Sequence, residues 1–230
     1  MLLERLPGRY ASYFNENIGL VETSIGRMIP LQTPQMRLHH PLSVHAEPYC
    51  ELPLDKAAFK GPFPDYPHMV PYSPFSFYVR RKMYIHNMGH TAVAYLGSRR
   101  GFTFIWEAVT DSTIRETAAQ AMTESARALS KAYGEPLGGL EAHVDDLLMR
   151  FGNKKLGDTI ARVGRDLPRK LGDSERFFGA ARLCAAQGVD SKHILLSFQA
   201  ALGLEESERT MTLDQLRRIA DKIILDTGHP

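Results

Sequence analysis

The sequence predicts a mainly α-helical protein with a small β element contributed by its first third. Three observations carry this. Prolines crowd the first 75 residues (Pro30, Pro34, Pro41, Pro48, Pro53, Pro62, Pro64, Pro67, Pro71 and Pro74), a density that excludes long helices. Beyond Pro74, apolar residues recur at three- and four-residue intervals, as in helices that bury one face. The chain has 230 residues, 43% of them hydrophobic, enough to bury a substantial core.

Taken in order, residues 1–75 read as an irregular and β segment, and residues 76–230 as a helical region, the two forming one structural unit. Leu42–Glu47 and Tyr49–Asp55 alternate partially and read as strands, while Gly19–Met28 fits either a strand or a short helix. A long helix runs from Pro74 to about Gly97. A second runs from about Asp111 to Tyr133, with Ile114, Ala118, Met122, Ala126 and Leu129 as its buried stripe. Shorter helices follow near 137–150, 155–165, 174–187 and 191–203. The last begins at Thr212, where Thr-Leu-Asp-Gln215 forms a capping box, and runs to about Leu225.

Composition narrows the function classes. A formal charge of +2 gives no case for nucleic acid or an acidic membrane surface. Cys50 and Cys184, distant in sequence, suggest a reducing compartment rather than a disulfide scaffold. No apolar run reaches transmembrane length, and Met1-Leu-Leu-Glu-Arg-Leu is too short and charged for a signal peptide. The expected location is the cytoplasm.

The first long helix carries the most informative pattern, Lys82-Met-Tyr-Ile-His-Asn-Met-Gly-His90. At about 100° per residue, Lys82, His86, Asn87 and His90 fall within an arc of roughly 140°. Such an arc can be a solvated face. Its neighbours Phe75, Phe77, Tyr78, Met83, Ile85, Val93, Ala94 and Leu96 are apolar, however, and long charged side chains are seldom buried without a partner or a task. His86 and His90 also have the i, i+4 spacing of helical zinc ligands. Asparagine stands between them where zinc proteases need a glutamate base, and His39, His40 and His45 offer a third ligand without a recognised spacing. A helical zinc protein is therefore the weakest reading.

This stretch, running into Thr91-Ala-Val-Ala-Tyr-Leu-Gly97, resembles the catalytic helix of the polyol-specific long-chain (mannitol) dehydrogenases, with its Lys-x4-Asn-x2-His pattern. A second block is similar to another segment of that family: Arg150-Phe-Gly-Asn-Lys-Lys-Leu-Gly-Asp158-Thr-Ile-Ala-Arg162-Val-Gly-Arg165-Asp-Leu-Pro-Arg169-Lys170-Leu171. Lys154 departs from a usual proline there, and Leu167-Pro168 inverts the usual order. Asn17 to Pro30 is a weaker third match, and together the three span nearly the whole chain. The ending of the second block and His-Asn-Met-Gly-His favour the mannitol-1-phosphate 5-dehydrogenase type.

The resemblance implies the multi-helical C-terminal, substrate-binding domain of that family and an NAD-dependent, metal-independent oxidation of a polyol or polyol phosphate, of the mannitol 1-phosphate to fructose 6-phosphate type. No G-x-G-x-x-G occurs, so the turn that brings backbone amides to a pyrophosphate is lacking. The chain reads as starting after an N-terminal Rossmann domain, with no cofactor-binding residues of its own and inactive alone. A Rossmann domain or upstream polypeptide and a small polyol or sugar phosphate are the expected partners. The alternative is a non-catalytic remnant that folds and associates only.

Oxidising a secondary alcohol needs a base for the hydroxyl proton and donors for the developing alkoxide. Lys82 is the candidate base if burial or a cation such as Arg81, or an arginine of the second block, lowers its pKa. Asn87 would bond the reacting oxygen and His90 would orient a substrate hydroxyl. Arg162, Arg165, Arg169 and Lys170 read either as a surface run paired with Asp158 and Asp166 or as a sugar-phosphate pocket. The resemblance places substrate contacts at or near Arg162 and Lys170, with Arg165 beside them. Asp55 matches a family acidic position near polyol hydroxyls, or is simply a turn residue at a strand end.

Overall fold

The structure is a computed structural model; it describes residues 7–38, 40–204 and 211–227. The chain divides into two compact units, Met1–Met28 with Glu47–Val79, and Ile29–Ala46 with Arg80–Pro230.

The first unit holds one short helix, α1 (Ala11–Asn17), and two strands, β1 (Leu52–Asp55) and β2 (Met69–Tyr72). The strands pair in parallel, Leu52 opposite Met69 and Asp55 opposite Tyr72. Each contains a proline, and the ladder shows why both are tolerated. Leu52 N–H donates to His68 O at 2.8 Å, so alternation turns the backbone groups of 52 and 54 toward those of 68, 70 and 72. Pro71 therefore lacks an N–H only where the ladder needs none. Pro53 points its carbonyl the other way, to Ser24 N–H at 3.3 Å and Thr23 Oγ1 at 2.9 Å. Asp55 N–H on that same edge donates to Glu22 O at 2.9 Å. Residues around Thr23 are thus extended, with one antiparallel bridge from Thr23 to Leu54, which resolves the ambiguity at Gly19–Met28.

Two strand expectations are corrected. The strand foreseen over Tyr49–Asp55 starts only at Leu52, because Arg27 claims the carbonyls before it: Nε donates to Tyr49 O, and Nη2 to Pro48 O at 3.3 Å. The strand foreseen at Leu42–Glu47 does not form. Its backbone is taken by a side chain instead: Gln32 accepts from His45 N–H at 2.8 Å and donates to His45 O at 3.0 Å.

The second unit is helical. Its spine starts at Arg80, in the last turn of α2 (Ser76–Arg81), whose first residues belong to the first unit, passes through π-helical turns at Lys82–Asn87, and continues as α3 (Met88–Arg99). The π character is explicit in Met88 N–H, which bonds to the carbonyl of Met83, five residues back. Around the spine lie α4 (Ile105–Ala108), α5 (Ser112–Tyr133), α6 (Leu137–Phe151), α7 (Ile160–Gly164), α8 (Leu167–Lys170), α9 (Arg176–Ala186), α10 (Lys192–Ala201) and α11 (Leu213–Thr227). Caps set their ends. Asp111 accepts from Ile114 N–H at 3.0 Å to start α5, and Gly134, at φ 72°, ends it in the left-handed region. At α11, Thr212 N–H donates to Gln215 Oε1 at 2.9 Å and Gln215 N–H returns to Thr212 Oγ1 at 3.3 Å, the reciprocal box its sequence announces.

The core is the expected stripe of α5 (Ile114, Ala118, Met122, Ala126 and Leu129), packed on α3, α6, α9 and α10. Each large side chain removed from water there contributes about 1.5–3 kcal/mol. The spine packs too closely for any side chain at Gly89, where a Cβ would lie 2.3 Å from Met122 Sδ. Among the described residues, no helix is long and apolar enough to cross a membrane.

Candidate active site

The site is built where α3 meets α7, α8 and α9. In an α-helix, Lys82 and Asn87 would stand about 140° apart. The π turns pair residue i with i+5, and Lys82 and Asn87 are five apart, so Asn87 returns toward the side of Lys82. Tyr84, inside these turns, fits only because α9 offers Gly179: a Cβ there would lie 2.5 Å from the Tyr84 hydroxyl oxygen. This contact sets the π segment against the start of α9, where Arg176 lies.

A cavity of about 310 Å³ opens at this junction. Asn87, His90 and Thr91 of the spine form one wall. Arg162 and Val163 of α7, Arg165, Asp166, Arg169 and Lys170, and Arg176 of α9 complete the lining. Of the residues singled out in the sequence, the structure therefore brings Asn87, His90, Arg162, Arg165, Asp166, Arg169 and Lys170 around one void. Lys82 does not line it, but the charge of Arg176, which does, reaches Lys82. Asp55 belongs to the first unit, where its Oδ1 accepts from Ala57 N–H at 3.0 Å in a tight turn.

The electrostatics have definite causes. Lys82 has its pKa lowered first by burial and then by Arg176, rather than by Arg81 or the second block. Arg81 acts instead on His143, whose pKa burial, Arg81 and Arg150 together lower to about 3. His90 is also held at about 3, by burial and then by Arg162, Arg176 and Lys170. It is therefore a neutral imidazole at physiological pH. Its ring stacks on Phe151 at 4.7 Å and 12°, with Nε2 3.6 Å from Asp158 Oδ2. Asp158 is buried and also pairs with Arg162. The strand-like bridge of Phe104 to Thr159, with Ile105 N–H donating to Asp158 O at 3.0 Å, fixes this carboxylate.

Lys170 is 4% exposed. Its Nζ donates to the Val163 carbonyl at 2.9 Å. Burial, then Arg176 and Arg169, bring its pKa down to about 8. Arg176 Nη1 pairs with Glu175 at 2.6 Å, while Arg169 pairs with Asp166 and, at 3.4 Å, with Glu175. Two guanidinium nitrogens, Arg162 Nε and Arg176 Nε, are buried without a hydrogen-bond partner.

The zinc arrangement finds no support in this geometry. His86 and His90 have ring centroids 6.4 Å apart and both face Phe151. His45 Nε2 lies 2.9 Å from Met36 O, and His40 Nδ1 accepts from Leu42 N–H; His39 lies outside the described residues. Among the described residues no three His, Cys, Asp or Glu side chains converge as ligands. The described strands form a two-stranded parallel sheet without a glycine-rich turn into a helix.

Sequence reasoning missed Arg176 and the approach of the His90 ring to Asp158. Arg176 carried one signal: a cation in the first turn of a helix, against the dipole, directly before Phe177 and Phe178. Asp158 precedes Arg162 by four residues, a spacing that signals their pairing but not the imidazole brought from α3.

Two solved structures share this architecture. One is the Pseudomonas fluorescens mannitol 2-dehydrogenase in ternary complex with NAD and D-mannitol, at 18% identity and a TM-score of 0.67, matching 96% of this chain and 47% of that one. The other is a D-sorbitol dehydrogenase in substrate-free form, at 18% identity and a TM-score of 0.69, matching 92% of this chain and 47% of that one. The chain thus spans about half the length of each, and at such identity the likeness is one of fold. Residues 75–217, which include every residue lining the cavity, match the family described as the mannitol dehydrogenase C-terminal domain, and the chain belongs to that family.

Proposed function

We propose that this chain is the substrate-binding and proton-handling half of a polyol dehydrogenase acting on an anionic polyol, a polyol phosphate of the mannitol 1-phosphate type. One observation carries this reading most. Five cationic side chains (Arg162, Arg165, Arg169, Lys170 and Arg176) and one carboxylate, Asp166, line one void together with the amide of Asn87 and the neutral imidazole of His90. That combination binds an anion at one end and hydroxyl groups at the other.

In this reading Lys82, its pKa lowered by burial and Arg176, takes the proton of the reacting hydroxyl and returns it in the reverse direction. Asn87 donates its amide N–H to the oxygen as charge develops there. Neutral His90, with one N–H and one lone pair, orients a neighbouring hydroxyl, its ring held by Phe151. Arg162, Arg165 and Lys170 hold the substrate's polar end, and an acceptor role for Asp55 rests on the family resemblance alone. The hydride acceptor, NAD by family, would be held by a dinucleotide-binding domain outside these residues. The free thiols Cys50 and Cys184 suit a reducing, cytoplasmic setting.

The test is NADH formation from mannitol 1-phosphate and from mannitol, with the chain alone and with the chain supplied with a family dinucleotide-binding domain. Turnover of the phosphate ester only in the mixture is the expected outcome. No turnover from folded protein in either would reassign the chain to a domain that binds without catalysing.

A further inference from the structure

The cavity contains more cationic hydrogen-bond capacity than the protein itself uses. Lys170 bonds to an uncharged carbonyl, and Arg162 and Arg176 each keep a buried Nε–H without a partner. A buried donor left unbonded is costly, and a charged one more so. The two arginines that carry these donors come from different helices and line one void together with a buried lysine, and a ligand that brings several acceptors and negative charge matches that set of cations. A polyol hydroxyl supplies acceptors without the charge. A carboxylate supplies two oxygens and one charge. A phosphate monoester supplies three oxygens and close to two charges, matching the forked donors of arginine.

Arg176 differs from the other cations in its origin. It is the first residue of α9, outside the basic block of residues 162–170, and reaches the cavity because Tyr84 seats on Gly179 one turn further on. Its Glu175 pairing occupies Nη1, and its Nε is buried without a partner, while the residue itself lines the cavity. Resting on the polyol reading above, we propose that Arg176, which lines the cavity together with Arg162, seats the phosphate group of the substrate and is the residue by which the site separates a phosphorylated polyol from a free one. The proximity of Arg176 to Lys82 adds a consequence. A dianion seated on Arg176 offsets the second of the two causes that lower the Lys82 pKa, burial being the first, and so raises that pKa when the phosphate is in place.

The experiment is calorimetric titration of the chain with mannitol 1-phosphate, mannitol and inorganic phosphate at fixed ionic strength, for wild type, Arg176→Gln and Arg176→Lys. Arg176→Lys keeps a cation able to pair with Glu175, so the fold is preserved while the planar fork is lost. Both variants should bind mannitol 1-phosphate and inorganic phosphate about 10–100-fold more weakly, the range for a hydrogen bond to a charged group, with mannitol affinity unchanged. Unchanged affinity for the phosphate ester in Arg176→Gln overturns the proposal and leaves the cavity as the polyol site. Equal weakening for mannitol and its phosphate also overturns it, because Arg176 would then act on the polyol or on the fold. Wild type that binds neither polyol defeats the polyol reading itself. Loss of inorganic phosphate binding in Arg176→Gln would even then support the anion seat.

Discussion

Two buried polar clusters in the helical unit look alike in composition and differ in how completely their hydrogen bonds are used. At the first, Glu124 of α5 is 6% exposed. It accepts from the backbone N–H groups of His193 and Ile194 at 3.0–3.1 Å and from His193 Nδ1 at 2.7 Å. The carboxylate thereby caps α10, whose own N-cap residue Ser191 makes no side-chain cap bond. At the second, around Arg162, Lys170 and Arg176, two guanidinium N–H groups have no acceptor and the cations outnumber the carboxylate of the wall. The first cluster spends its polar capacity on the fold. The second leaves charged donors unbonded beside a cavity, whereas the buried atoms without partners near the first, Ser125 Oγ and Ser197 Oγ, are uncharged hydroxyls.

Four substitutions or conditions test that distinction. The largest effect is expected at Lys82. In the enzyme with its dinucleotide-binding domain, Lys82→Ala should lower kcat by about 10³-fold, within the range for loss of a general base. The Kd for mannitol 1-phosphate should move only a few fold. Oxidation by the parent should speed up with rising pH as Lys82 loses its proton, and reduction should slow. Turnover close to the parent's in Lys82→Ala would show that the proton goes elsewhere.

Next is the spent cluster. Glu124→Ala leaves the first turn of α10 uncapped in a buried setting and should cost about 3 kcal/mol. In a protein of this size that corresponds to a fall of roughly 6–12 °C in Tm, read by calorimetry. Phosphate binding to the folded variant should stay at the parent value; a large loss of binding with unchanged Tm would reverse the roles of the two clusters.

Gly179→Ala sharpens the link between fold and site. The new methyl meets Tyr84, and overpacking of this kind costs about 1–3 kcal/mol. Because Tyr84 lies within the π turns, kcat should fall by more than mannitol affinity does. Equal retention of both would separate the Tyr84 seat from the positioning of Lys82.

The smallest effect is in pH. Lys170 has a pKa of about 8, so below pH 8 it is a cation available to the phosphate and above it an uncharged amine. The ester becomes a dianion above about pH 6. Affinity should therefore be highest between roughly pH 6 and 8 and fall several fold by about pH 9, measured by titration calorimetry. Lys170→Arg, charged throughout, should flatten the upper limb, and an unaltered fall in that variant would assign it to another group.

Much of this architecture is readable from periodicity and caps. The α5 stripe, the Thr212–Gln215 box and the proline-rich first third are local patterns, and local patterns fix local structure. The motifs also name most of the cavity wall, since Asn87 and His90 share one helix and Arg162, Arg165 and Lys170 share one short segment. What escapes is non-local. Lys82–Asn87 has the same apolar pattern in α or π geometry, and the choice is made by Tyr84 packing on a glycine 95 positions later. Arg176 belongs to no motif and reaches the site through that same contact. The strand at Met69–Tyr72 hides behind Pro71, whose tolerance depends on a register that only the partner strand defines.

The central claim, that the unspent cations form the phosphate seat of a polyol site served by Lys82, is tested most directly by a crystal structure of the chain with mannitol 1-phosphate. The account predicts the phosphate on the guanidinium groups of Arg162 and Arg176, and a substrate hydroxyl within about 3 Å of Asn87 and in reach of Lys82. A phosphate bound away from Arg176, or a polyol chain directed away from Asn87 and His90, would contradict it.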